Sequence, residues 1–320
     1  MRHPSRIAVG MATYKRQDNL RVLVPAILEQ VDAAAPELNL DCEWTVIVVD
    51  NDPTASGREA ANPLGDPRVR YSVEPRPGVA SARNAVLRAA DDCDVLIFID
   101  DDELPQPGWL TNLVGAHLLH DADVVSGPVK SVFEGPVDPW LEASDSHLRL
   151  HRSHLRTGDE ITRAATNNLL LDMATVRNLG LSFDERFGLT GGEDSFFTGQ
   201  LHQGGAHMVW CAEAVVDDLV PAERANREYN LRRRYSLSNA SARVEIMLAE
   251  PGLERLGIRL VCFARGTAQV VKGSAMTLVG RIGRSLRQQA HGERYVMGGL
   301  GAIAAGAGVA AAPYLRKKSG

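Results

Sequence analysis

The chemistry in this chain starts at Val95-Leu-Ile-Phe-Ile-Asp-Asp-Asp-Glu103, where an unbroken apolar run ends in three consecutive aspartates. A short apolar run of this kind reads as a buried strand, and its end delivers Asp100, Asp101 and Asp102 to a sheet edge. In open α/β sheets, ligands bind at the carboxyl ends of the strands. Three adjacent carboxylates repel one another unless a cation neutralises them, and hard cations such as Mg²⁺ or Mn²⁺ take oxygen ligands. Mg²⁺ is commonly held by one or two carboxylates, with water and substrate phosphate completing its shell. The same residues would also suit a solvated acidic turn before Pro105. A second acidic pair, Glu193-Asp194, follows Gly191-Gly192 and opens a helical stretch. The glycines permit backbone angles closed to other residues, and a helix dipole favours carboxylates at that end whether or not they act on a substrate.

These residues need a scaffold, and composition bounds it. The 320 residues suit one large domain, or one domain with an appendage, and the 44% apolar content is enough for a real core. A net charge of −5 supplies no global basic field, so nucleic acid is not an expected partner and any anionic ligand must be held by local groups. Cys42, Cys93, Cys211 and Cys262 stand far apart with no C-x-x-C pair, which argues for reduced thiols in the cytoplasm, against a disulfide framework and against a zinc site. The N-terminus lacks the apolar region and cleavage site of a signal peptide.

Strand-like and helix-like stretches alternate. Ile7–Met11 reads as a first strand, followed by a loop at Thr13-Tyr-Lys-Arg16 and then by a helix, capped by Asp18, with Leu20, Leu23, Val24, Ile27, Leu28 and Val31 on one face. Trp44–Val49 is a second strand, ending at Asp50-Asn-Asp52, a sequence that makes a good turn regardless of ligand. Val69–Val73 is a third. A turn at 75–78 leads into a helix over Val79–Ala90 that carries Arg83-Asn84. After the aspartate strand comes a helix from about Pro107 to His120. Strands are expected again at 124–127, 129–133 and 167–171. The rhythm predicts an α/β fold with a mostly parallel, doubly wound sheet. No G-x-G-x-x-G follows the first strand, which disfavours a dinucleotide-binding site. His147, His151 and His154 recur at helical spacing beside Arg149, Arg152 and Arg156, and read as a solvated basic face in preference to a metal ladder.

Five short motifs occur in order: Thr13-Tyr14, Asp50-Asn51, Ala82-Arg83-Asn84, Asp100-Asp-Asp102 and Gly191-Gly-Glu-Asp194. Over residues 5 to 240 this arrangement resembles the inverting nucleotide-sugar glycosyltransferases of family 2, which have the GT-A fold: Rossmann-like, with a mostly parallel sheet and flanking helices. Asp217-Asp-Leu-Val-Pro-Ala-Glu-Arg224 and Arg232-Arg-Arg234 are similar to the branch that builds succinoglycan and other bacterial exopolysaccharides. The resemblance implies that Asp50 bonds the nucleobase, that Thr13 and Tyr14 line its pocket, and that Arg83 lies near the base or diphosphate. It implies that Asp100 and Asp101 contact the ribose and that Asp102 binds Mn²⁺ or Mg²⁺. Asp194 would be the general base towards the acceptor hydroxyl, with Glu193 beside it raising its pKa or bonding the acceptor. Relatives often carry a late histidine on the metal; here Asp217-Asp218 stands in that region, and Asp218 is the candidate ligand. The donor would be a UDP-sugar and the acceptor a saccharide, lipid-linked in this branch. A nucleotidyltransferase would instead show a glycine-rich phosphate loop after the first strand, which Gly10–Arg16 is not. A non-catalytic sugar-nucleotide-binding module would not need Asp102 and Asp194.

The resemblance fades after about residue 250, and the expected division is a GT-A domain over 1–245 and a helical region over 246–320. Leu256–Val279 is apolar but carries Arg259, Arg265 and Lys272, as an amphipathic interfacial helix would. Tyr295–Leu315 has no charge and, as a helix, is just long enough to span a bilayer; its Ala/Gly content and Pro313 weigh against that. Arg316-Lys-Lys318 would lie on the cytoplasmic side. The expected location is cytoplasmic, peripheral on the inner face of the plasma membrane.

Overall fold

The computed structural model describes residues 4–62, 64–148, 152–188 and 190–311. The chain opens with β1 (Arg6–Thr13), α1 (Gln17–Glu37), β2 (Glu43–Asp50), the single turn α2 (Arg58–Ala61) and β3 (Val69–Val73). Then come α3 (Val79–Ala89), β4 (Val95–Ile99), the short β5 (Glu103–Pro105), α4 (Trp109–His120), β6 (Val124–Ser126), β7 (Val129–Phe133) and α5 (Pro139–Ala143). The second half holds β8 (Asn168–Asp172), α6 (Met173–Leu179), α7 (Glu193–Gln203), β9 (Met208–Trp210) and β10 (Val216–Val220). Three long helices follow: α8 (Arg227–Leu248), α9 (Leu253–Ile282) and α10 (Leu286–Gly306).

The chain divides into two compact units, the first made of Met1–Lys130, His151–Glu185 and Phe197–Leu219, the second of Ser131–Leu150, Arg186–Phe196 and Val220–Gly320. All of α8, α9 and α10 belong to the second unit.

In the first unit a seven-stranded sheet has the order β3-β2-β1-β4-β8-β6-β9. β3, β2, β1 and β4 run parallel, β8 is antiparallel to both β4 and β6, and β9 is parallel to β6. The mostly parallel sheet is therefore present, with one reversed strand that the alternation of strands and helices did not reveal. Its pleat separates two cores. Ile7, Val9 and Met11 point into one with Leu20, Val24 and Ile27 of α1 and Leu110 and Leu113 of α4. Ala8, between them, faces the other with Val86 of α3, Leu96 and Phe98. At Gly10 the sheet and α3 come close: a Cβ there would collide with Val86.

Two local expectations need correction. α1 starts at Gln17, so Arg16 and not Asp18 holds the cap position; Asp18 sits in the first turn and accepts from Arg21 at 2.6 Å. Lys15, at φ +56°, turns the chain so that Arg16 can reach back towards the sheet edge. The basic face expected around the histidines is the second. His147 lies in a short 3₁₀ turn (Ser146–Leu148), and Arg152, instead of being solvated, stacks 5.3 Å from the Trp210 ring centroid and donates to the Arg163 carbonyl. Arg149 and His151 lie outside the described residues.

In the second unit, α9 and α10 form an antiparallel hairpin on α8. Their contact is made by glycines seven residues apart: Gly266 meets the Gly299 carbonyl, and Gly273 meets the Gly292 carbonyl and the Val296 amide. Asn239 of α8, fully buried, donates to the Gly301 and Val309 carbonyls and accepts from the Ala311 amide. Trp140 of α5 donates its indole N–H to Glu293 of α10. Among the described residues no helix is long and apolar enough to cross a membrane. Pro313 and Arg316-Lys-Lys318 lie outside those residues.

Candidate functional site

Register brings Thr13, Asp50 and the turn that follows β4 to one edge. Thr13 is the register partner of Asp50 across β1 and β2, and Gly10 is the partner of Phe98 across β1 and β4. Three residues on from that second pair, Thr13 and Asp101 stand level, and the Thr13 hydroxyl donates to Asp101 Oδ2 at 2.7 Å. The strand itself stops at Ile99, so the three aspartates form the turn that leaves it.

Arg16 organises this turn. Its Nη1 lies 2.6 Å from Asp101 Oδ1 and 2.9 Å from Asp102 Oδ2, and so bridges two of the three carboxylates. Burial alone would weaken the guanidinium's charge, but Asp101 and Asp102 hold its pKa above the ordinary value. Burial pushes the Asp101 carboxyl up to about 6, against the opposing pull of Arg16 and the Thr13 hydroxyl. Asp100, the most exposed of the three carboxylates at 40%, accepts from Arg83 Nη2 at 3.1 Å. Behind the turn, buried Glu103 accepts from the Asp100 amide and from Asn167 Nδ2 at 2.9 Å, fixing the backbone from which the aspartates project.

Asp50 is fully buried, and its carboxylate accepts from the Asp52 amide (2.9 Å), the Gly57 amide (2.7 Å) and the Tyr71 hydroxyl (2.8 Å). It therefore holds the loop after β2 from within. Asn51 links that loop to the next one: its Nδ2 donates to the Glu74 and Arg76 carbonyls at 2.8 and 2.7 Å, and its Oδ1 accepts from the Gly78 amide. Gly78, at φ +124°, precedes α3, so the same side chain fixes the start of the helix that carries Arg83. Asn84 pairs through both ends of its amide with the backbone of Phe183.

Asp217 and Asp218 lie on β10, antiparallel to β5. Asp218 is the register partner of Glu103, and the Leu219 amide donates to the Asp102 carbonyl. Asp217 accepts from Gln106. Asp102, 22% exposed, and half-exposed Asp218 thus stand on adjoining chain segments and offer only oxygen donors. Among the described residues no three His, Cys, Asp or Glu side chains make a ready ligand set. The pair fits a hard cation whose shell substrate phosphate and water complete, and does not fit an all-protein cage.

Glu193 and Asp194 belong to the second unit. Gly191 and Gly192 adopt φ +73° and +99°, so the chain makes a turn there that side chains would resist, and α7 begins at once. Glu193 is buried, while Asp194 is half-exposed and accepts from the Ser195 amide at 2.6 Å. A Cβ on Gly192 would press against Val244 and Ala240 of α8, and Phe187, Phe196 and Val244 pack around this turn.

The sequence pointed to the aspartates, Thr13 and Arg83. It left Arg16, Asn51, Glu103 and Asn167 without roles. The available signal was polar side chains directly flanking strand ends; their partners depend on turns that the sequence does not specify.

Residues 8–175 match the profile of glycosyl transferase family 2. The succinoglycan biosynthesis protein ExoM of Rhizobium meliloti (strain 1021) is 32% identical over 247 residues, 74% of each chain. A crystal structure of S. aureus TarS in complex with UDP-GlcNAc matches with a TM-score of 0.53 at 14% identity, over 90% of both chains. GalNAc-T7 crystallised with UDP, GalNAc and Mn²⁺ matches with a TM-score of 0.52 at 14% identity, over 76% of this chain and 51% of that one. The sequence likeness makes the chain a glycosyltransferase and the structural likeness gives its fold as GT-A: it belongs to glycosyl transferase family 2.

Proposed function

We propose that the chain transfers a sugar from a nucleotide-diphospho-sugar, a UDP-sugar above all, to a saccharide acceptor with inversion at the anomeric carbon, as a step in building an exopolysaccharide. The observation that carries this reading is the cluster at the carboxyl ends of β1 and β4, where Thr13, Arg16 and Arg83 hold three aspartates in one turn. Family membership, the likeness to ExoM, and the UDP-GlcNAc and UDP with Mn²⁺ bound by the two similar proteins support it.

Thr13 and Tyr14 line the nucleobase pocket, with Asp50 holding its loop from behind. Asp100, exposed and tied to Arg83, faces the ribose, while Asp101 anchors Arg16 and Thr13. Arg83 adds positive charge near the diphosphate. Asp102 and Asp218 would hold Mn²⁺ or Mg²⁺, which when bound would stabilise the charge on the leaving nucleoside diphosphate. Asp194 accepts the proton of the acceptor hydroxyl as that oxygen attacks, and Glu193 hydrogen-bonds the acceptor. The acceptor is lipid-linked, which sets the enzyme to work against the inner face of the plasma membrane.

The test is a thermal-shift panel of UDP, GDP and dTDP sugars with Mn²⁺ and with EDTA, followed by assay of nucleoside diphosphate release. A metal-dependent stabilisation by one donor class, lost in Asp102→Ala, is expected. Release of pyrophosphate, or equal stabilisation in EDTA and Mn²⁺, would overturn the reading.

A further inference from the structure

The long helix α9 is inside out for a helix in water. The face it turns to its own hairpin is built from Cys262, Gly266, Gly273 and Gly280, all buried. The opposite face carries the large apolar side chains. Leu253, Leu260, Val271, Leu278 and Ile282 follow one line down the helix and are 88, 63, 65, 59 and 77% exposed. On a wheel of 100° per residue, Leu256 and Phe263 flank that line on one side and Val261 and Val279 on the other; all four are about half exposed. No acidic residue falls within this arc. The charges sit at its margins, with Arg265 and Lys272 (and Glu254) on one side and Arg259 and Arg281 on the other. The band runs the length of a 30-residue helix, about 45 Å.

We propose that the outward face of α9 docks in the plane of a lipid surface bearing anionic headgroups. A long, convex apolar band with a predominantly basic margin matches a flat interface in which acyl chains lie below phosphates. A second copy of the chain fits worse, because pairing two such faces would set basic margins against basic margins. Spanning is excluded for this helix by its charges and its hairpin partner. Beside the band, α8, α9 and α10 line an open groove of about 350 Å³ with Leu231, Leu278, Val296 and Met297, with Arg281, and with Arg227 paired to Glu293. This surface extends the membrane-proximal acceptor proposed above, and rests on that reading only in identifying the lipid surface as the one that carries the acceptor.

The experiment is co-sedimentation of the full chain with vesicles of phosphatidylcholine, with and without phosphatidylglycerol, at low and high salt. Binding should require the anionic lipid, weaken with salt, and fall at least about tenfold in the triple variant Leu260→Glu, Val271→Glu, Leu278→Glu. Because these side chains are exposed, the variant should keep its melting temperature. In a separate Phe263→Trp chain, indole fluorescence should shift to the blue on vesicles and be quenched by lipids brominated in the acyl chains. Wild type that ignores anionic vesicles at low salt, or a triple variant that binds as wild type does, would overturn the proposal. So would a wild-type oligomer that the triple variant dissociates, in the absence of vesicle binding. Donor hydrolysis measured on the same samples keeps the two readings apart: vesicle binding without hydrolysis sinks the enzymatic proposal and leaves this one standing.

Discussion

Arg16 places one positive charge between Asp101 and Asp102, where a divalent cation beside Asp102 would otherwise be needed to offset their repulsion. Arg16→Ala should therefore lower stability by about 1–2 kcal/mol, the pair being only partly buried. Thermal denaturation should show a larger gain from Mn²⁺ in the variant than in wild type; an equal gain would mean that guanidinium and metal do not share the same carboxylates. The base proposed at Asp194 can be tested apart from the donor site. Asp194→Asn keeps its shape and removes its basicity, so kcat should drop about 10²–10⁴-fold while donor affinity barely changes. Asp102→Asn should impair donor binding as well, and titration of donor against both variants separates the two roles. The aspartate run was legible because it ends an unbroken apolar stretch, which marks a buried strand delivering its last residues to a sheet edge. Arg16 was not, because its reach depends on Lys15 taking a left-handed backbone conformation that nothing in its side chain demands.

Elements were legible where burial follows a period. α1 and α3 begin within a residue or two of their expected starts because their apolar faces recur at helical spacing, and β4 because its run is apolar throughout. The reversal of β8 was hidden, since a fully buried strand reads the same in either direction. The solvated face expected from the histidine and arginine spacing misplaced Arg152, which is drawn to Trp210, a contact distant in sequence. Glycine positions also mattered more than their helix propensity suggests. Gly273→Leu would push side-chain atoms into the Gly292 and Val296 backbone, which cannot rotate away, and should cost about 3 kcal/mol. Gly257→Ala, on the same helix with nothing within 4 Å of its Cβ, should instead stabilise by about 0.5–1 kcal/mol. Melting temperatures of the two variants, moving in opposite directions, would check the packing of α9 on α10.

At the scale of the whole molecule, charge and chain path both have consequences. In the first unit Glu74, paired with Arg76 and Arg88, and Asp66, paired with Arg68, have carboxyls held below their ordinary pKa, chiefly by those hydrogen bonds. A depressed carboxyl contributes stability above its unfolded pKa of about 4 and loses it as pH falls through the folded value. Glu74→Gln should thus lower the melting temperature near neutral pH and lower it less in acid. Asp101, raised to about 6, has the opposite sign: its cost appears as pH rises through that value. The chain passes from one unit to the other after residues 130, 150, 185, 196 and 219. Neither unit is therefore a continuous stretch of sequence, and synthesis from the N-terminus cannot finish one before starting the other. When residue 245 leaves the ribosome, Trp140 still awaits Glu293 and Asn239 still awaits Gly301. A chain stopped there would hold α8 with its partners unmade, so expression of residues 1–245 should give a protease-sensitive, chaperone-bound product, and only a polypeptide carried through α10 should be released from that surveillance.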